Sequence, residues 1–405
     1  MTATRIVRPA TLAALGAAAV WVLAAALLWR TKVPADLRLP SLHARTVFGA
    51  HAVAAGTRFD RFFEIDSLLA MLARLFTLVV LARRGPRFAR SLGLGPVNAG
   101  IVTGVFVLTV VWAVGIPFGV AASWWSHRHG ILRQSWASIL TSPFPALLRT
   151  TVAAVVVLAI VLLLARRLPR MWWVPASLAV VVLAVTVQFV SPYTERLGTH
   201  ALRSHYLLAK AGQLERREHV AAPVIRVAPV RRETNAANAA ASGIGPSRTV
   251  FIWDTMLGGR FTPHELRFVL AHELGHHARR HIWKGLAWGG LIGVPILAFV
   301  AFVTGRRGGL RNPETVPLAL LVVAAAGLAV TPLALTVSRR YEAEADWVAL
   351  NATHDPAAAR GLFKGFVRTN LQNPDPPWWV HVLLEDHPSP LVRVEQAEAW
   401  SRVPR

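Results

Sequence analysis

The 405-residue chain has no cysteine. That excludes a disulfide scaffold and any thiolate ligand, so a metal site here would have to use nitrogen and oxygen. Charge is scarce too: Asp, Glu, Lys and Arg make up 16% of the residues, where a soluble domain has about a quarter. Acid is the scarcer sign, with 21 Asp and Glu against 44 Lys and Arg and a formal net charge of +23. With 54% hydrophobic residues gathered in long runs, an ordinary soluble domain is excluded and an integral membrane protein is expected. The basic excess invites a nucleic-acid partner. The arginines, however, lie in short loops between apolar runs, where they favour anionic lipid headgroups and fix topology, so no nucleic acid is expected. There is no long internal repeat and no low-complexity tail.

Seven apolar runs are long enough to be spans, at about residues 10–29, 62–82, 97–122, 150–165, 171–190, 283–304 and 316–337. The first, after Arg5 and Arg8, suits a full span better than the short apolar region of a signal peptide. A polar, proline-containing segment separates it from the second run. That run carries Glu64, Asp66 and Arg74. Charges inside a span face protein or water; Glu64 and Asp66 could equally lie just outside the membrane. Trp124, Trp125 and Trp136 form a Trp-rich loop of interfacial anchors after the third span. The expected architecture is mainly α, polytopic, with a small α+β domain. It divides into a membrane domain at 1–190, a segment of soluble character with short strands and a helix at 191–282, a two-span hairpin at 283–337 and a C-terminal helical segment at 338–405. Within the second segment, 197–215 reads as helix, and 224–227 and 249–253 as short strands, joined through 235–246.

The stretch Ala271-His272-Glu273-Leu274-Gly275-His276-His277 contains HExxH. Four residues on an α-helix turn about 40° and rise about 6 Å, so His272 and His276 present both imidazoles on one side. Two such histidines clamp one zinc ion, and a third ligand leaves one position open for water, whose pKa zinc lowers. Glu273, next to the first ligand, is placed to act as general base. Thr262-Pro263-His264-Glu265 supplies an N-cap, a proline at the first helical position and a capping-box glutamate. The helix is expected to run on towards the membrane. A metzincin would need Gly at 279 and His at 282; Arg279 and Ile282 stand there instead. His277 and His281 lie too close along the chain to complete the site and read as solvated or headgroup-facing. The third ligand must come from elsewhere.

Just beyond the seventh run comes Ser338-Arg339-Arg340-Tyr341-Glu342-Ala343-Glu344-Ala345-Asp346. Glu342 and Asp346, at i and i+4, share a helix face. Glu342 can be the third ligand and Asp346 can accept the outer N–H of a liganding histidine; the bland alternative is a solvated acidic helix start. Two spans lie between His276 and Glu342, so the chain returns to the same membrane face. Glu344, about 200° from Glu342 around the helix, is expected to matter neither to metal nor to activity.

These stretches resemble the type I CAAX prenyl endopeptidases, seven-span membrane zinc proteases, and their bacterial relatives. The resemblance rests on the HExxH helix with Val250-Phe251-Ile252-Trp253-Asp254-Thr255 before it, on Ser338-Arg339 with Glu342 and Ala345-Asp346, on Asn238-Ala239 through Gly243-Ile244-Gly245, and on His387-Pro388 followed by Arg393. It implies one zinc per chain on His272, His276 and Glu342, with Glu273 as base and His387 stabilising the developing oxyanion. It implies that Asn238 and Ala239 hold an extended substrate by backbone pairing, and that Arg393 braces its loop or Asp346. Ala240-Ala241-Ser242 replaces the family's aromatic-rich segment, so the substrate wall is expected to be more open.

The expected activity is a zinc endopeptidase acting on membrane-associated proteins or peptides at the bilayer. A sensor-transducer would need a separate sensing domain. A metal transporter or scaffold would leave Glu273 idle and would place paired polar residues at mid-membrane. The N-terminus and the loops at about 83–96, 166–170 and 305–315 share one face and carry Arg5, Arg8, Arg83, Arg84, Arg87, Arg90, Arg166, Arg167, Arg170, Arg306, Arg307 and Arg311, with Glu314 the only acid. By the positive-inside rule that face is cytoplasmic, in a bacterial cell membrane, and the zinc site lies outside the cytoplasm; the resemblance argues for the opposite side.

Overall fold

A computed structural model describes residues 9–217, 220–221 and 223–403, with side chains described from Leu15 onward. Arg5 and Arg8 lie outside the described residues. The helices are α1 (Pro9–Trp29), α2 (Ala44–Phe48), α3 (Ala50–Ser91), α4 (Pro96–Arg128), α5 (Trp136–Thr141), α6 (Pro143–Arg167), α7 (Trp173–Glu195), α8 (His205–Arg217), α9 (Pro263–Ala278), α10 (His281–Gly305), α11 (Val316–Thr353), α12 (Pro356–Asn370), α13 (Trp378–Leu383) and α14 (Pro390–Ser401). The strands are β1 (His200–Ala201), β2 (Val224–Ala228), β3 (Ala239–Ser242) and β4 (Thr249–Trp253).

Among the described residues six helical stretches are long and apolar enough to cross a membrane: α3, α4, α5–α6, α7, α10 and α11. The first apolar run is α1, whose stretch Leu15–Trp29 is apolar but shorter. Leu72, Phe76, Leu148, Leu178, Val182 and Phe302 leave more than half of their surface uncovered, an apolar exterior that suits lipid rather than water. Arg74 is exposed but lays its guanidinium against α4: a Cβ on Gly115 would meet it. Arg90 pairs with Glu314 at 2.8 Å, which brings two of the arginine-bearing loops to one face.

Several boundaries differ from the sequence reading. α3 starts at Ala50, inside the stretch read as polar linker. α4 continues to Arg128, so Trp124 and Trp125 sit on its last turns rather than in a loop, and Trp125 Nε1 donates to Phe59 O at 3.1 Å. The stretch read as helix from 197 contains β1, and helix begins only at His205. The HExxH helix does not run on. α9 ends at Ala278, Arg280 adopts φ 55°, and α10 starts afresh at His281. No glycine or proline marks this break; a left-handed arginine costs about 1–2 kcal/mol and has to be held by its surroundings.

The sheet has the order β1-β2-β4-β3. β2 and β4 run parallel, with Val224 opposite Thr249 and Ala228 opposite Trp253. β3 returns antiparallel beside β4 and forms an edge. Val250 and Ile252 of β4 point into the main core, together with Phe268, Leu270 and Leu274 of α9, Leu350 of α11, and Leu362 and Phe363 of α12. Each buried leucine contributes about 1.5–3 kcal/mol, and together they clamp α9 between sheet and helices. Gly275 lets α11 approach: a Cβ there would stand 3.2 Å from Val348 Cγ1. This close crossing brings the two halves of the site together.

Candidate active site and metal centre

α9 is held at its start by the capping box expected from the sequence. Thr262 Oγ1 accepts from Glu265 N, and Glu265 Oε2 accepts from Thr262 N at 2.7 Å. His272 and His276 project from it towards α11, with their Nε2 atoms 3.0 Å apart. Glu342 meets them from α11: Oε2 lies 3.2 Å from His272 Nε2 and Oε1 lies 3.4 Å from His276 Nε2. One ligand atom from each of the three residues falls within 4.8 Å of the others.

Whether a metal suits this cluster is decided by its unsatisfied groups. Glu342 Oε2 is buried and has no hydrogen-bond partner, although such an oxygen is ordinarily paired. Two imidazole nitrogens and one carboxylate facing one point form a set that a divalent cation satisfies. Burial holds His276 well below the ordinary histidine pKa. Burial opposes the charged form of His272 as well, but the neighbouring carboxylates of Asp346 and Glu342 outweigh it and push its pKa up to about 10. A cation in place of a proton on Nε2 would meet Glu342, while Asp346 keeps the proton on Nδ1.

The surrounding shell is built from α11 and α14. His272 Nδ1 lies 2.9 Å from Asp346 Oδ1. Asp346 in turn accepts from Arg393 through Nε to Oδ2 and Nη2 to Oδ1, both at 2.7 Å. Such a two-point guanidinium pair fixes the carboxylate plane. Glu273 is buried, and that burial pushes its pKa up to about 7. His387 is half-exposed; its Nε2 is 3.3 Å from Glu342 Oε2 and its Nδ1 is 2.8 Å from Asp386 Oδ1. Desolvation disfavours its charged form, but the Asp386 bond and the charge of Glu342 prevail, so its pKa stands above the ordinary value.

Beside the metal cluster lies a groove of about 450 Å³ lined by Asn238, Trp253, Phe366, Asp386, His387 and Arg393, among others. Asn238 is exposed at the head of β3, and its carbonyl accepts from Trp253 N at 3.0 Å. Ala239 pairs with Ile252 on β4. Asn370 at the end of α12 grips both backbone groups of Ala237, at 2.8 and 3.1 Å, and so holds the entry of this strand in place. Nothing in the sequence singled out Asn370.

His277 and His281 are neither solvated nor headgroup-facing. His277 is buried with Nε2 3.4 Å from Thr249 O of β4, and burial pushes its pKa down to about 4; it fastens the helix to the sheet in neutral form. His281 is buried too, with Nδ1 3.1 Å from His276 Nδ1 and Nε2 3.0 Å from Glu344 Oε2. Glu344 is fully buried rather than idle on a solvated face. The expected run-on of α9 hides the place of His281, because only the break at Arg280 returns it to His276.

Residues 208–401 match the family described as Peptidase family M48. The chain is 28% identical over 257 residues to a protein of Bacillus subtilis named "Uncharacterized metalloprotease YhfN", covering 59% of each chain. It is 34% identical over 160 residues to a "Protease HtpX homolog" of Kineococcus radiotolerans, covering 38% of this chain and 53% of that one. The chain thus spans less than two thirds of these relatives. The crystal structure of S. mikatae Ste24p superposes with a TM-score of 0.73 at 17% identity, covering 94% of this chain and 96% of that one. At that identity the likeness establishes the fold.

Proposed function

We propose that this chain, which carries a peptidase family M48 domain over residues 208–401, is a membrane-embedded zinc endopeptidase that hydrolyses peptide bonds of membrane-associated proteins or peptides. The observation that carries the reading is the convergence of His272, His276 and Glu342 from two helices on one point, beside a buried Glu273. Two histidines and a carboxylate suit zinc, which when bound supplies Lewis acidity to a water and to the scissile carbonyl.

The chain's own groups divide the remaining work. Glu273 takes the proton of the attacking water and later delivers it to the leaving amine. His387, held by Asp386, donates a hydrogen bond to the oxyanion that develops on the carbonyl. Asp346, fixed by Arg393, keeps His272 in the tautomer that turns Nε2 to the metal. The outer edge of β3, led by Asn238 and Ala239, offers backbone groups to an extended peptide, and the groove beyond receives its side chains. A second, apolar cavity of about 550 Å³ runs between α10 and α11 from His276 and Glu342 past Trp288, Ile292 and Val330. It suits a substrate whose apolar part remains in the bilayer, which is why the membrane-associated class is preferred to soluble peptides.

The test is metal removal on the purified full-length chain. About one zinc per chain and cleavage of casein or a membrane peptide are expected. Chelation should abolish cleavage and added zinc should restore it; cleavage that survives complete metal removal would end this reading. The arginine-rich loops, two of them joined by the Arg90–Glu314 pair, favour the cytoplasmic face, so we place the zinc site outside the cytoplasm. Alkaline phosphatase fused after Arg405 should then be active and a fusion that fluoresces only in the cytoplasm should be dark; the reverse pair of signals overturns the orientation.

A further inference from the structure

We infer that His281 and Glu344 are positioning residues for His276: Glu344 anchors His281, and His281 fixes the tautomer and tilt of the second metal-binding histidine. The inference rests on the zinc-site reading above. A histidine that offers Nε2 to a metal carries its proton on Nδ1, and that N–H ordinarily has an acceptor. Asp346 fills this role for His272. His276 has no carboxylate at that position; it has His281, with the two Nδ1 atoms 3.1 Å apart. For His276 to donate, His281 Nδ1 must be the bare nitrogen and its proton must sit on Nε2. That atom faces Glu344 Oε2 at 3.0 Å. The chain carboxylate–imidazole–imidazole therefore has a single consistent direction of hydrogen bonds, ending at the metal point.

The rest of the neighbourhood holds this chain in place. Glu344 Oε1 accepts from Arg279 Nε at 2.8 Å and from Lys32 N at 2.9 Å, and Oε2 accepts from Lys284 Nζ at 3.2 Å as well as from His281. With two donors on each oxygen the fully buried carboxylate is held in one position. The His281 ring stacks on Tyr341, with centroids 4.8 Å apart and planes 8° apart. Tyr341 is itself pinned by accepting from Trp288 Nε1 and donating to Leu28 O. The left-handed backbone at Arg280 is the device that swings His281 back against His276. A site for neutralising Arg279 and Lys284 alone would need neither the strained residue nor the nitrogen-to-nitrogen contact.

The test is zinc affinity, read by competition with a chromophoric chelator on the full-length chain in detergent. His281→Phe keeps the stacking on Tyr341 and leaves Glu344 to Arg279 and Lys284, but removes the acceptor of His276 Nδ1–H. It should bind zinc about 10- to 100-fold more weakly. His281→Gln, with an acceptor and a donor in one amide, should recover most of that loss. Unchanged affinity in His281→Phe, or His281→Gln no tighter than His281→Phe, overturns the inference while leaving the peptidase reading intact; a wild type that binds no zinc takes both down. If His281→Phe aggregates, ring-nitrogen NMR of zinc-loaded wild type decides, with the His281 signals assigned by their loss in His281→Gln. The inference requires a neutral His281 with its proton on Nε2, and a proton on Nδ1 overturns it.

Discussion

Glu273→Gln is expected to lower peptide-bond cleavage by about 10²- to 10⁴-fold, the usual contribution of a general base, while zinc content and thermal stability stay close to wild type. The substitution keeps the volume and one hydrogen-bonding oxygen of a buried side chain, so neither the core of α9 nor the three ligand atoms is disturbed. Only the capacity to accept a proton is lost. His387→Ala provides the contrast. His387 sits half-exposed at the rim and approaches Glu342 from outside the helix pair, so its removal should also spare zinc. The fall should appear in kcat and reach about 10²- to 10³-fold, as for an oxyanion donor. Zinc measured by mass spectrometry, run beside initial rates on one peptide, checks both. Full activity in Glu273→Gln would remove the proposed base, and an unchanged rate in His387→Ala would leave that residue a structural part of its loop.

Local signals in the sequence carried far. The capping box at Thr262 and Glu265 and the HExxH spacing act within a single helix, where periodicity fixes which side chains share a face. The pairing of Glu342 with Asp346 was legible for the same reason, and the even number of spans between His276 and Glu342 set both on one membrane side. What escaped depends on chain direction after a break. Arg280 is left-handed with no glycine, asparagine or proline to announce it, so α9 and α10 read as one continuous helix and His281 was placed on an outward face. Glu344 escaped because a position i+2 from Glu342 points away from the metal, and sequence alone does not tell a solvated far side from one packed against Arg279 and Lys284. β3 was legible only through the resemblance carried by Asn238-Ala239: Ala239-Ala240-Ala241-Ser242 has almost no β propensity and is a strand because β4 lies beside it. Asn370, which holds the entry to that strand, is 133 residues from its partner Ala237.

Glu342→Ala is expected to empty the metal site and abolish cleavage together. Glu342 supplies the only carboxylate among the three converging ligands, and two histidines four residues apart bind zinc far more weakly than a closed three-ligand set. The substitution leaves the Asp346–His272 and Asp346–Arg393 bonds untouched, and it removes a carboxylate whose contacts are with the site histidines, so the fold should survive. Zinc-dependent stabilisation separates loss of metal from loss of fold. At a free zinc concentration about 100 times the dissociation constant, the wild type should gain about 2.7 kcal/mol against unfolding, seen as a raised thermal midpoint. Glu342→Ala should show no such gain at the same concentration, with a metal-free midpoint near that of metal-free wild type. Glu344→Ala, silent on the sequence reading, should now also weaken zinc binding by releasing His281, but should keep a reduced zinc-dependent shift because all three ligands remain. A full zinc-dependent shift in Glu342→Ala would mean that the third ligand lies elsewhere, and would break the link between α11 and the metal on which the peptidase reading depends.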